Sequence, residues 1–117
     1  MKHTNTYIEA RVYEYEQLLY DNKGKNIVLL DLQGKYKSFD AVIIVTATST
    51  RHAQSLAQGL LDYAGQRGYE YLRMEGYTNG TWILVDLNDI IVHIFKEEER
   101  ELYGIEQLWN VEVTTYP

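Results

Sequence analysis

Cysteine is absent from the 117 residues, proline occurs once, and basic side chains are outnumbered, 11 Lys and Arg against 17 Asp and Glu. Without cysteine there is no disulfide scaffold, no thiolate catalysis and no cysteine-type zinc centre. The formal charge of −6 argues against a protein that grips nucleic acid by neutralising phosphates, which needs clustered Lys and Arg. Only Lys23, Lys25, Lys35 and Lys37 come near a basic stripe. No apolar run approaches the ~18 residues of a membrane span, and Met1 opens onto Lys2, His3, Thr4 and Asn5 without an apolar signal segment behind them. The expectation is a soluble, unexported, cytoplasmic protein with a basic protein surface as its more natural partner.

What is present is a globular composition. Hydrophobic residues make up 45%, including 11 tyrosines, and no low-complexity tract or linker interrupts them, so a disordered chain is excluded and one domain over residues 1–117 is expected. Within it, residues 1–22 read as an N-terminal helix, 26–109 as the core and 110–117 as a tail without strong signal.

Ile8, Val12, Tyr15 and Leu19 recur at spacings of four, three and four and share one helical stripe from Thr4 to about Tyr20. Asn26–Leu32 and Ala41–Thr46 are short, nearly continuous apolar runs rich in strand formers, the signature of strands buried on both faces. Behind the hydroxyls of Thr48, Ser49 and Thr50, the residues Ala53, Leu56, Ala57, Leu60 and Ala64 define a second amphipathic helix that closes at Gly68. Glu70–Glu75 alternates in part, Asn79-Gly80 signals a two-residue turn before Thr81–Leu87, and Asn88-Asp89 a second before Ile90–Phe95. Three consecutive antiparallel strands follow. Glu97, Glu98 and Glu99 suit the first turn of a last helix, which Gly104 interrupts.

A two-residue loop at Asn88-Asp89 fixes the register of the strands it joins and sorts their side chains. One face takes Ile83, Val85, Leu87, Ile90, Val92 and Ile94, all aliphatic, and belongs under helices. The other takes Trp82, Leu84, Asp86, Ile91, His93 and Phe95. Two large aromatics beside a carboxylate and an imidazole fit an open sheet face used for binding another protein.

Other chemistries find less support. His93 with Asp86 could ligate a metal or move a proton, but a third ligand at suitable spacing is missing, and a histidine paired with a carboxylate is the simpler reading. His52 and His3 are weaker candidates still. Thr46–Ser49 could cradle a phosphate with Arg51 nearby, yet it lacks a Gly-rich loop and a P-loop lysine, which leaves helix capping. Asp31, Asp40, Asp86 and Asp89 could suggest a carboxylate pair holding Mg²⁺, but Asp86 and Asp89, separated by a turn, diverge and do not line up as one. No metal and no cofactor are expected.

Leu30-Asp31-Leu32, Asp40 before an apolar strand, Thr46–His52, Glu75-Gly76, Trp82–Asp86, Asp89–Phe95, Arg100–Tyr103 and Glu106–Trp109 come in an order that resembles the ribosomal silencing factor family, also called Iojap-related. The resemblance spans Ile27 to Trp109. It departs at Ala47 and Asn88, where members usually carry glycine, and in the loop before Asp40, where the family's aromatic is displaced to Phe39. Asn88 still tolerates the positive φ of a tight turn.

The resemblance implies an α/β fold with a mixed, mostly antiparallel sheet of about five strands and helices packed on one face, nucleotidyltransferase-like without the catalytic carboxylates. It also implies a non-enzymatic translational repressor. Such a protein binds the large ribosomal subunit through a basic protein of the intersubunit face, the fourteenth in the standard naming, and blocks joining of the small subunit when nutrients are scarce. The competing classes are a nucleotidyltransferase-like enzyme and a small-ligand-binding domain. For partner binding the expected residues are Trp82 as anchor, Leu84 and Ile91 as apolar neighbours, and Asp86 and Glu75 as acids for Arg or Lys on the partner. His93, Tyr103 and Trp109 either join them or hold the last helix to the sheet. An exposed apolar face would also let the free protein form a homodimer.

Overall fold

A computed structural model describes residues 4–32, 40–104 and 113–117. Helix α1 (Thr4–Asp21) leads into strand β1 (Lys25–Asp31), followed by β2 (Ala41–Ala47), α2 (Thr50–Arg67), β3 (Arg73–Glu75), β4 (Trp82–Asp86), β5 (Ile90–Lys96), α3 (Glu97–Tyr103) and β6 (Val113–Tyr116). The strands form one sheet in the order β3-β4-β5-β2-β1-β6. Every neighbouring pair is antiparallel except β2 with β5, which run parallel.

Local sequence explains the main elements. Ser49 caps α2 by accepting the His52 backbone N–H at 3.0 Å, which is the capping role expected of the Thr46–Ser49 segment. Gly68 ends that helix at φ +71°, a conformation open to glycine without strain. Gly104 does the same for α3 at φ +52°, so it terminates the helix and does not sit within it. Asn88 adopts φ +79° between β4 and β5, and Leu87 N–H donates to the Ile90 carbonyl at 2.9 Å. The tight turn and its register are therefore as expected, with Trp82 opposite Phe95, Leu84 opposite His93 and Asp86 opposite Ile91.

Helices α1 and α2 cover one face of the sheet. Their stripes (Ile8, Val12, Tyr15, Leu19; Leu56, Leu60) meet Ile43, Val45, Ile83, Val85, Val92 and Ile94 in the main core. Two polar residues of α1 are buried with them. Arg11 has a side chain 2% exposed and pairs with Asp89 at 2.6 Å, which ties α1 to the β4–β5 turn, and Glu16 is 7% exposed.

Several expectations need correction. The sheet has a sixth strand, β6, in the tail that carries no strong sequence signal. It adds to β1 with Val28 opposite Thr115, its side chains mostly exposed, so no burial pattern marks it. The segment Glu70–Leu72 is not strand. β3 is only three residues long, and the turn to β4 spans residues 76–81, not Asn79-Gly80 alone. The second sheet face is also not open along its length. Leu30, Leu32, Val42, Ile44, Ile91 and Phe95 form a second apolar core there, because β1 and β2 are apolar on both faces and extend the sheet beside β5. Helix α3 reaches this side as well, where Arg100 donates to Thr46 Oγ1 at 2.8 Å. Trp109, Phe39, His3, Lys35 and Lys37 lie outside the described residues, as does the Tyr103 side chain.

Candidate functional site

On the second face, exposure rises from the centre of the sheet toward its β3 edge. Phe95 is fully buried, and His93, Asp86 and Ile91 are no more than 9% exposed. Trp82 and Leu84 on β4 are half-buried, and Arg73 and Glu75 on β3 are exposed on either side of Met74. The expected site residues thus divide. Glu75, Trp82 and Leu84 share an accessible edge, while Asp86, Ile91 and His93 lie behind it.

Trp82 is held from behind by two rings. Its indole packs 4.9 Å from the Phe95 ring centroid at a tilt of 31°, and its Nε1–H donates to Nδ1 of His93 at 3.0 Å. Since Nδ1 accepts, the imidazole carries its proton on Nε2. Burial pushes the His93 pKa down to about 4, so the ring is neutral at physiological pH and remains an acceptor for the indole. A buried neutral histidine bonded to an indole supports a neighbour, which corrects the expected histidine–carboxylate pair: His93 meets Trp82, and Asp86 meets Asn88 and Arg73 instead.

Asp86 does not offer a free carboxylate. Its Oδ1 accepts the Asn88 backbone N–H at 3.0 Å, and its Oδ2 lies 3.3 Å from Arg73 Nε. Arg73 also pairs with Glu75, so one guanidinium bridges the two acids. Sequence reasoning missed Arg73. The available signal was its position two residues from Glu75, which puts both on one face of β3. Exposed Tyr77 and Leu72 flank the same edge and were also missed. The Gln54 side chain holds the Tyr77 carbonyl at 2.8 Å, and Leu72 N–H donates to the Asp86 carbonyl at 2.8 Å. At Gly76, with φ +82°, a Cβ would collide with the Trp82 carbonyl oxygen, so only glycine lets the turn pass this close to the tryptophan.

Asp86 and Asp89 serve opposite faces. Asp86 pairs with Arg73 on the second face, whereas Asp89 pairs with Arg11 of α1 on the first. The two carboxylates cannot converge on one cation. His52 is occupied too. Thr48 N–H donates to its Nδ1 at 3.0 Å, and its Nε2 reaches the Asn22 carbonyl at 2.9 Å, which ties the start of α2 to the end of α1.

Residues 5–116 match the family model described as ribosomal silencing factor during starvation. The chain belongs to the ribosomal silencing factor family. The match takes in α1 and β6 in addition to the Ile27–Trp109 stretch. A ribosomal silencing factor from Bacillus subtilis is 35% identical over 90 residues, which cover 77% of this chain and 76% of the relative. A more distant relative in mouse, named mitochondrial assembly of ribosomal large subunit protein 1, is 27% identical over 97 residues, covering 80% of this chain and 42% of its own. The crystal structure of a protein from Chromobacterium violaceum superposes with a TM-score of 0.81 at 31% identity, covering 88% of this chain and 87% of that one. As a ribosomal silencing factor family member, the chain is a ribosome-associated regulatory protein. Among the described residues no helix is long and apolar enough to cross a membrane.

Proposed function

We propose that this protein binds the large ribosomal subunit in the cytoplasm through its β3–β4 edge, docks on a basic protein of the intersubunit face, and blocks joining of the small subunit by occupying that surface. No bond is made or broken. The observation that carries the reading is the half-buried Trp82, backed by Phe95 and His93 and flanked by Leu84 and the exposed Glu75. A large aromatic whose orientation is already fixed loses little freedom on binding, and such residues dominate interface energetics.

Charge supports the same partner. A net −6 repels ribosomal RNA and favours approach to a basic protein. Glu75 lies at the accessible edge and would meet Arg or Lys on the partner. Asp86 acts through Arg73, which it holds beside Glu75, and Ile91 and His93 support Trp82 and Leu84 from below. An enzymatic reading would need a converging carboxylate pair, and Asp86 and Asp89 are directed to different arginines.

The direct test is calorimetric titration of the isolated basic ribosomal protein with wild type and Trp82→Ala. The variant should lose about 2 kcal/mol or more of binding, roughly 30-fold. Trp82→Phe, which keeps an aromatic ring on Phe95, controls for folding. Unchanged affinity in the folded alanine variant would remove Trp82 from the interface.

A further inference from the structure

On the sheet face opposite Trp82, a cleft of about 140 Å³ opens between α1 and β1. Ile8, Val12 and Leu29 give it apolar walls, and Glu16 lines it together with the exposed Glu9 and Asp31. Glu16 is more than nine-tenths buried. Among the described residues, no hydrogen bond or ion pair satisfies its carboxyl, and burial alone drives its pKa up to about 7.

The Glu16 carboxyl oxygens are not sealed off and reach water through the cleft, yet partial burial still makes the ionised form costly. Two features say what would relieve that cost. The ligand must be cationic to satisfy Glu16, and it must carry an aliphatic segment to cover Ile8, Val12 and Leu29. A multivalent metal fits poorly, because no group of three acids or histidines converges among the described residues. The volume is well below the ~300–1,000 Å³ of sites for drug-sized ligands and suits one short aliphatic arm. Lysine-like chains combine such a stem with a single point charge.

We propose that this cleft binds a primary alkylammonium, its stem against Ile8, Val12 and Leu29 and its charge on Glu16. Glu9 adds a second negative charge at the mouth, whereas Asp31 already has an interaction of its own. The other titratable groups facing Glu16 are Tyr13 on α1 and Tyr116 on β6. The two sources of this chemistry are a free aliphatic diamine and a lysine side chain of a protein. The site is independent of the Trp82 edge and of the ribosomal reading.

The test is an NMR titration of the full chain at pH 8 with 1,4-diaminobutane, with N-acetyl-lysine methylamide as the side-chain probe, and with 1-butanol as the uncharged control. At least one amine should produce saturable shifts in the amides of Val12, Glu16 and Leu29, and 1-butanol should bind about tenfold more weakly or not at all. Saturation by the diamine alone assigns the site to a free amine, and saturation by the lysine probe assigns it to a protein side chain. Glu16→Gln should weaken binding by about tenfold. In wild type, whatever the variant's stability, saturating amine should lower the titration midpoint of the Glu16 carboxyl. No saturable shift with either amine into tens of millimolar, equal binding of 1-butanol, or an unmoved Glu16 midpoint would overturn the proposal.

Discussion

The indole of Trp82 donates its N–H to Nδ1 of His93 across the β4–β5 pair at 3.0 Å. This bond links the half-buried tryptophan to a buried ring. Replacing His93 by Ala removes the acceptor and leaves a cavity beside Phe95, and should cost about 2 kcal/mol or more in urea unfolding. His93→Gln, which can present an acceptor oxygen, should recover part of the loss.

The pH dependence of stability follows from two buried groups that act in opposite directions. His93 falls from 6.5 to about 4 in the folded state, so its contribution is complete above the unfolded value and is lost as pH drops from about 6.5 toward 4. Glu16 rises from 4.5 to about 7, so its contribution is complete below 4.5 and is lost as pH climbs toward 7. Each amounts to about 3 kcal/mol at ~1.4 kcal/mol per pH unit. Between roughly pH 4.5 and 6.5 the two slopes offset. Glu16→Gln should uncover the histidine, giving stability that rises steadily with pH across that window in chemical denaturation. A flat profile in the variant would contradict the assignment.

The Arg11–Asp89 pair holds α1 against the β4–β5 turn. Asp89→Ala strands a guanidinium whose side chain is 2% exposed, and should destabilise the fold by about 3 kcal/mol. Urea unfolding measures it. Arg11→Met, which removes the charge and keeps the stem, should cost less, since Asp89 remains partly solvated at 29% exposure.

Gly76→Ala tests the turn beneath Trp82. The added methyl would collide with the Trp82 carbonyl at a positive φ, so β4 must shift where it presents the indole. Stability should drop by about 1 kcal/mol or more, and Trp82 fluorescence should change even where the fold survives.

The parts of the fold legible in the sequence are those where local chemistry is unambiguous. Asn88 tolerates the left-handed conformation its turn requires, and that single turn fixed which of Trp82, Leu84 and Asp86 lie opposite which residues of β5. Ser49 capped its helix as its position suggested. β6 was not legible, because a short exposed edge strand of Val113, Thr114, Thr115 and Tyr116 has no buried side to impose a pattern. The second face was misjudged for a related reason. The register shows which side chains share a face, but Asp86 and His93 looked solvent-facing as residue types until Arg73 and Trp82 supplied their partners. Those partners come from cross-strand neighbours. Glu16 and Arg11 escaped notice in the same way, since polar residues on α1 read as its wet face.

Joining of the subunits is the most direct measurement of blocking. Isolated large subunits would be saturated with the protein, binding confirmed by co-sedimentation, and small subunits then added, with intact ribosomes quantified on a density gradient. Intact ribosomes should fall in proportion to occupancy and return when Trp82→Ala replaces the wild type at the same concentration. Normal yields of intact ribosomes with the wild-type protein still bound would contradict blocking by occupancy.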